Sequence, residues 1–129
     1  MTTRTFGLLS AALALMASSV WAAEEQYRVP PNYAQLIAQH VLGKPAVGGV
    51  KILNGTISQP IERFMGIVNG GMRPVVCAHV TYESRFGDFT VEHLVTFENG
   101  RIERSVNDAG AIWCAGVSER PFRELFKKG

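Results

Sequence analysis

Four hydrophobic patterns follow one another along the chain. From Phe6 to Met16 apolar residues run on without a period, broken only by Gly7 and Ser10. Over Asn32 to Leu42, Tyr33, Leu36, Ile37, His40 and Val41 recur at the three- and four-residue spacing of one helical face. Asn32 is placed to cap that helix, Gln35 to close a capping box, and Gly43 with Pro45 to end it. Glu24 to Pro30 predicts an extended lead-in, stiffened by Pro30-Pro31. After Gly48-Gly49 the period shortens to two. Val50 and Ile52 alternate with polar neighbours and Ile57 follows Asn54-Gly55, which predicts one strand interrupted by a bulge or a tight turn. Ile61 to Val68 fits helix or strand, and Asn69-Gly70-Gly71 ends it in a loop.

Arg73 to Glu83 carries strand formers on both faces, the pattern of a central strand. Ser84 to Gly87 predicts a hairpin loop. Phe89, Val91, His93, Val95 and Phe97 then alternate with Thr90, Glu92, Leu94 and Thr96. Asn99-Gly100 fits a two-residue type I′ hairpin. That turn sets a register in which Glu98 faces Arg101, Phe97 faces Ile102, Val95 faces Arg104 and His93 faces Val106. Asn107 to Gly110 predicts another turn, Ala111 to Ala115 a short strand, and Ser118 the cap of a final short helix bearing Phe122, Leu125 and Phe126. The expected architecture is α+β: an N-terminal helix packed on a four- or five-stranded antiparallel meander, closed by a short C-terminal helix. A small closed barrel is the alternative.

The first apolar run changes the address. Arg4 precedes it, and Val20 and Ala22 stand at the two positions a signal peptidase reads. The run is about half the 20 residues that a membrane span needs. The expectation is a signal peptide over residues 1–22 and a single exported domain over 23–129. It would be periplasmic or secreted, with no stable membrane span after cleavage. In an oxidising compartment Cys77 and Cys114, the only two cysteines, are expected to form one disulfide. The formal net charge of +2 leaves no electrostatic footprint for nucleic acid.

The order of helix, Ile57-Ser58-Gln59-Pro60, Gly70-Gly71, Val76-Cys77, Phe86-Gly87 and Phe97-Glu98-Asn99-Gly100-Arg101 resembles small exported proteins of alphaproteobacteria that have no established activity. The likeness spans roughly residues 30–105. It implies a similar envelope-targeted α+β domain and brings no catalytic residues with it.

Chemistry is sparse. Ser84, Ser105 and Ser118 lie at turns or strand ends, and none sits in a Gly-x-Ser-x-Gly elbow. Asp88 and Asp108 fall at turns, where aspartate bonds locally. Two distant cysteines have no zinc spacing. His79 faces Glu92 or His93 across a hairpin, and the second register would make half a metal site. No catalytic group and no cofactor is therefore assigned. The expected function is a non-catalytic binding module of the cell envelope, for a protein or polymer partner, with an inhibitor of an extracellular hydrolase as one version. Its candidate partner surface is Met72, Tyr82, Arg85 and Phe86, with Phe64 and Met65 as further candidates. The alternative is a small-ligand carrier or minor enzyme with a helix–sheet pocket holding His79, His93 and Arg104.

Overall fold

A computed structural model of the chain describes residues 25–43, 51–107 and 111–127. The leader and its cleavage site lie outside the described residues, as do Gly48, Gly49 and Asp108. Helix α1 spans Tyr33–Leu42. The strands are β1 (Lys51–Ser58), β2 (Ile61–Phe64), β3 (Met72–Ser84), β4 (Gly87–Glu98), β5 (Arg101–Asn107) and β6 (Glu119–Pro121). A short helix, α2, covers Ala111–Cys114. Short 3-10 turns occupy Ile67–Asn69 and Arg123–Phe126.

The fold is α+β, with six antiparallel strands among the described residues rather than four or five. Their order is β5-β4-β3-β1-β6, and β2 lies beside the first half of β3. β1 and β2 together follow β3 like one strand bent at Gln59-Pro60: Ile57 faces Ala78, then Ile61 faces Val75. The packed helix is not an N-terminal element. Glu25 and Gln26 are already helical, where an extended lead-in was expected, and Pro30-Pro31 separates them from α1. Asn32 caps with its backbone only: its carbonyl accepts from the Leu36 N–H at 3.2 Å, and its side chain makes no cap bond.

Ala34, Ile37, Ala38 and Val41 form the buried stripe of α1. They pack on Ile57 of β1, Val76, Ala78 and Val80 of β3, and Val95 and Phe97 of β4. The two alanines carry little transfer free energy, yet their small size lets the helix lie close to the sheet. On the opposite face a second cluster joins Val75, Leu94 and the Cys77–Cys114 disulfide, whose Cα atoms are 5.9 Å apart. β3 is thus buried on both sides along Val75–Ala78, which is why its apolar run is continuous rather than alternating.

Three further expectations need correction. Cys114 ends the short helix α2 and does not lie in a strand. The segment after Ser118 pairs with β1 as β6 before the final 3-10 turn forms. Phe122 and Leu125 still enter the core, whereas Phe126 is exposed. The third concerns register. Asn99 and Gly100 both take positive φ, at 53° and 77°, as a type I′ turn requires, and Glu98–Arg101 and Phe97–Ile102 pair as expected. A bulge then shifts the ladder, so Thr96 faces Arg104, Val95 faces Ser105 and His93 faces Asn107. The inserted residue is Glu103, and it moves Arg104 off the apolar face.

Candidate functional site

The sequence-predicted partner surface divides between the two ends of β3. Met72 opens the strand, while Tyr82, Arg85 and Phe86 lie at its far end, roughly 40 Å away at the usual strand rise. At the far end the Tyr82 and Phe89 rings stack, with centroids 5.3 Å apart. Burial pushes the Tyr82 phenol pKa up. Phe86 sits at the tip of the β3–β4 hairpin, 95% exposed. The Ser84 hydroxyl closes that turn by donating to Gly87 O at 2.7 Å.

The candidate pocket does not assemble. His79 faces Glu92, not His93. Its side chain lies on the open face of the sheet. His93 faces Ala78 on the helix-covered side and is 2% exposed. Arg104 is exposed on the edge strand β5. Among the described residues no group of three or more His, Cys, Asp and Glu side chains is placed to hold a metal ion.

A different constellation stands at the Met72 end: Phe64, Met65 and Met72 were candidates from the sequence, whereas Ile67 and Val68 were not singled out. The β2–β3 hairpin brings Phe64 opposite Met72 and turns through Gly66 to Gly71. Gly66, Gly70 and Gly71 have φ of 95°, 94° and 69°, a region where only glycine is unstrained. The loop is closed by two backbone bonds, from the Met65 N–H to Gly71 O at 2.8 Å and from the Gly71 N–H to Gly66 O at 2.9 Å. At its tip Ile67 and Val68 are 88% and 96% exposed, and Phe64 and Met72 are 54% and 61% exposed. Four large apolar side chains of one short hairpin therefore face solvent. The signal was present in the sequence as Ile67-Val68 directly before Asn69-Gly70-Gly71.

The hairpin is braced from behind. Met65, Ile61 and Trp113 pack against the disulfide cluster, and Arg63 Nε donates to Trp113 O at 3.0 Å. Its flank is held by Arg73, which is 4% exposed. Arg73 Nη2 donates to Phe97 O at 3.1 Å and to Glu103 Oε1 at 2.9 Å. Thr96 donates its hydroxyl to the same Glu103 oxygen at 3.0 Å. Burial works against the Glu103 carboxylate, but the hydrogen bonds donated by Arg73 and Thr96, with the attraction of the Arg73 charge, leave its pKa below the ordinary value.

Gln26 and Tyr27 tie this hairpin to the next one. Tyr27 covers the Arg73 guanidinium. Gln26 O accepts from the Asn99 N–H at 2.7 Å, and Gln26 Nε2 donates to Glu98 Oε1 at 2.8 Å. The lead-in, the Gly66–Gly71 tip and the Asn99–Gly100 turn thus share one end of the molecule. An open groove of about 630 Å³ runs beside them, between Tyr27–Val29 and the Pro60, Met72 and Pro74 side of the hairpin.

No protein-family model, no curated protein and no solved structure matches this chain.

Proposed function

We propose that the protein is a small non-catalytic binding module of the cell envelope, periplasmic or secreted, which inserts the tip of its β2–β3 hairpin into an apolar cleft of a protein partner. The observation that carries this reading is the exposure of Ile67 and Val68 at 88% and 96% on a loop closed by its own backbone bonds. Apolar side chains gathered on one convex element are a costly surface in water and mark an interaction site. A rigid tip loses little conformational entropy when it docks. A protein cleft is favoured over a polar polymer because Phe64, Ile67, Val68 and Met72 offer apolar contact area rather than hydrogen-bonding groups.

The location is supported by the leader-like run over residues 6–16, the resemblance to small exported proteins, and the Cys77–Cys114 bond. No helix among the described residues is long and apolar enough to cross a membrane.

The test is capture from an envelope extract with three baits: the oxidised protein, an Ile67→Ser/Val68→Ser double variant, and Phe86→Ser as a control at the opposite end. One stoichiometric protein should be retained by the first and third baits and lost with the second. Equal retention by all three would remove the hairpin from the reading. Binding to bare phospholipid vesicles with no protein retained would replace the protein partner with a lipid surface.

A further inference from the structure

His79 connects four neighbouring strands. Its side chain stands on the open face of β3. Nε2 lies 3.0 Å from Glu92 Oε2 on β4, and Nδ1 reaches across β1 to within 2.8 Å of Glu119 Oε1 on β6. Thr56 of β1 faces His79 in register and donates its hydroxyl to the same Glu119 oxygen at 3.1 Å. The three charged side chains are between 14% and 29% exposed.

The chemistry of the ring makes this arrangement conditional. Neutral imidazole has one N–H and one lone pair. With both carboxylates ionised it can donate to only one of them, and its lone pair then opposes the other. Both contacts are hydrogen bonds only on the imidazolium, where each nitrogen donates.

What the contact holds is the weakest-paired part of the sheet. β6 is three residues long and, among the described residues, pairs only with β1, through Thr56–Pro121, Ile57–Arg120 and Ser58–Glu119. Directly after it Phe122 and Leu125, 1% and 5% exposed, enter the core beneath α1. The Phe122 N–H donates to Gly55 O at 2.8 Å. β4, on the other side of His79, is paired with β3 from Val76–Val95 to Ser84–Gly87. A lost contact therefore releases the β6 side first.

We propose that His79 is a proton-operated latch on the C-terminal segment: as imidazolium it fastens β6 and the Phe122–Leu125 plug to the sheet, and on losing its proton it lets go of Glu119 and the plug loosens. The charged groups facing the ring are Glu92 from β4 and Glu119 from β6, while β1 supplies the uncharged Thr56. Lys51, Glu83 and Asp88 lie further along the same face, in register with one another. Burial opposes the ring's charge, but hydrogen bonds and attraction from the two carboxylates outweigh it and hold the His79 pKa above the ordinary 6.5. A folded-state pKa raised above the unfolded one gives stability that is fully present below 6.5 and lost as pH rises through the folded value. The latch is closed in acid and opens toward alkaline pH.

The experiment is amide hydrogen exchange on the oxidised protein from about pH 5 to pH 9, corrected for intrinsic rates. The Phe122 and Leu125 amides are read against β3–β4 amides as an internal reference. Their relative protection should fall about threefold as pH rises, the scale of a lost partly exposed ion pair. In Glu119→Gln the fall should move to lower pH, and in His79→Gln it should vanish. A constant ratio in the unaltered protein overturns the proposal, as does an unchanged profile in Glu119→Gln. If His79→Gln does not fold, Glu119→Gln and the NMR titration of His79 carry the test.

Discussion

The Arg73 guanidinium carbon sits 3.8 Å from the centroid of the Tyr27 ring. That contact fastens the lead-in segment to the foot of the exposed hairpin. The same guanidinium satisfies Phe97 O and Glu103 from a buried position. Arg73→Ala would remove all three contacts and leave Glu103 without its cation. We expect a loss of roughly 2–4 kcal/mol, toward the lower end because Glu103 is partly exposed. The urea midpoint reports it, and a change under about 0.5 kcal/mol would mean that solvent replaces these contacts. Tyr27→Ala should cost less, about 1 kcal/mol, as a desolvated cation–π contact does.

Glu103 predicts an acid limb. Its folded-state pKa lies below the ordinary 4.5, so its contribution is present above that value and lost as pH falls through the folded one. The stability difference between the unaltered protein and Glu103→Gln should stay flat near neutrality and shrink once pH drops below 4.5. Denaturant titrations of both proteins across that range would show it. Parallel curves down to the acid transition would separate Glu103 from the pH dependence.

Those two residues also show where sequence reasoning stopped. The Asn99–Gly100 turn was legible because two successive positive φ angles select those residue types, and the first two pairs of its ladder followed. The Glu103 bulge was not. It answers a tertiary demand, keeping Arg104 off a face that Phe97 and Val95 bury, and no local pattern announces it. Ala34 and Ala38 carry too little hydrophobic signal to mark the helix stripe they centre. Glu119–Pro121 resembles a turn leading into a helix, because a three-residue edge strand ending in proline has no period to detect. The pairing of His79 with Glu92 was one of two readable registers. Its bond to Glu119, 40 residues on and across an intervening strand, depended on β6 and stayed hidden with it.

The disulfide should matter more to the hairpin than to the sheet. Cys77 and Cys114 are separated by 37 residues, a loop whose closure is worth about 4 kcal/mol in the chain-entropy model. Met65 and Trp113 pack directly on the cluster it forms. A Cys77→Ala/Cys114→Ala variant should lose most of that stability. It should also lose exchange protection at the Met65 amide, which closes the hairpin loop, before it loses protection at β4–β5 amides. Uniform loss across all strands would show that the bond braces the whole domain equally.

Gly55 is a packing requirement. A Cβ there would lie 2.7 Å from Leu125 Cδ1, 3.1 Å from His79 O and 3.3 Å from Phe122 Cβ. The leucine tip can move, but the β3 carbonyl cannot without straining the ladder. Gly55→Ala should therefore destabilise by about 1–3 kcal/mol, the range for overpacking a filled site, and Gly55→Val by more. Leu125→Ala in the same chain should relieve part of the clash, so the double variant should lose less than the sum of the two single losses. Simple additivity in the denaturant midpoints would show that the clash is absorbed elsewhere.

The hairpin tip should separate binding from stability. Ile67 and Val68 are almost fully exposed, so replacing both by serine removes little buried area and should shift stability by no more than about 0.5 kcal/mol. If the tip is the anchor of an interface, the same change should weaken partner affinity by tenfold or more, on the order of 2 kcal/mol for an apolar hot spot. Met65→Ala provides the contrast. Its side chain points inward to the disulfide cluster, so it should lower stability by about 2 kcal/mol and affect affinity only through the shape of the loop. Isothermal titration and urea denaturation on the same preparations give both quantities. Affinity unchanged in the double serine variant, with the fold intact, would move the interface away from this end of the molecule. The far hairpin, with Phe86 at its tip and the Tyr82–Phe89 stack beside it, would then be the surface to substitute next.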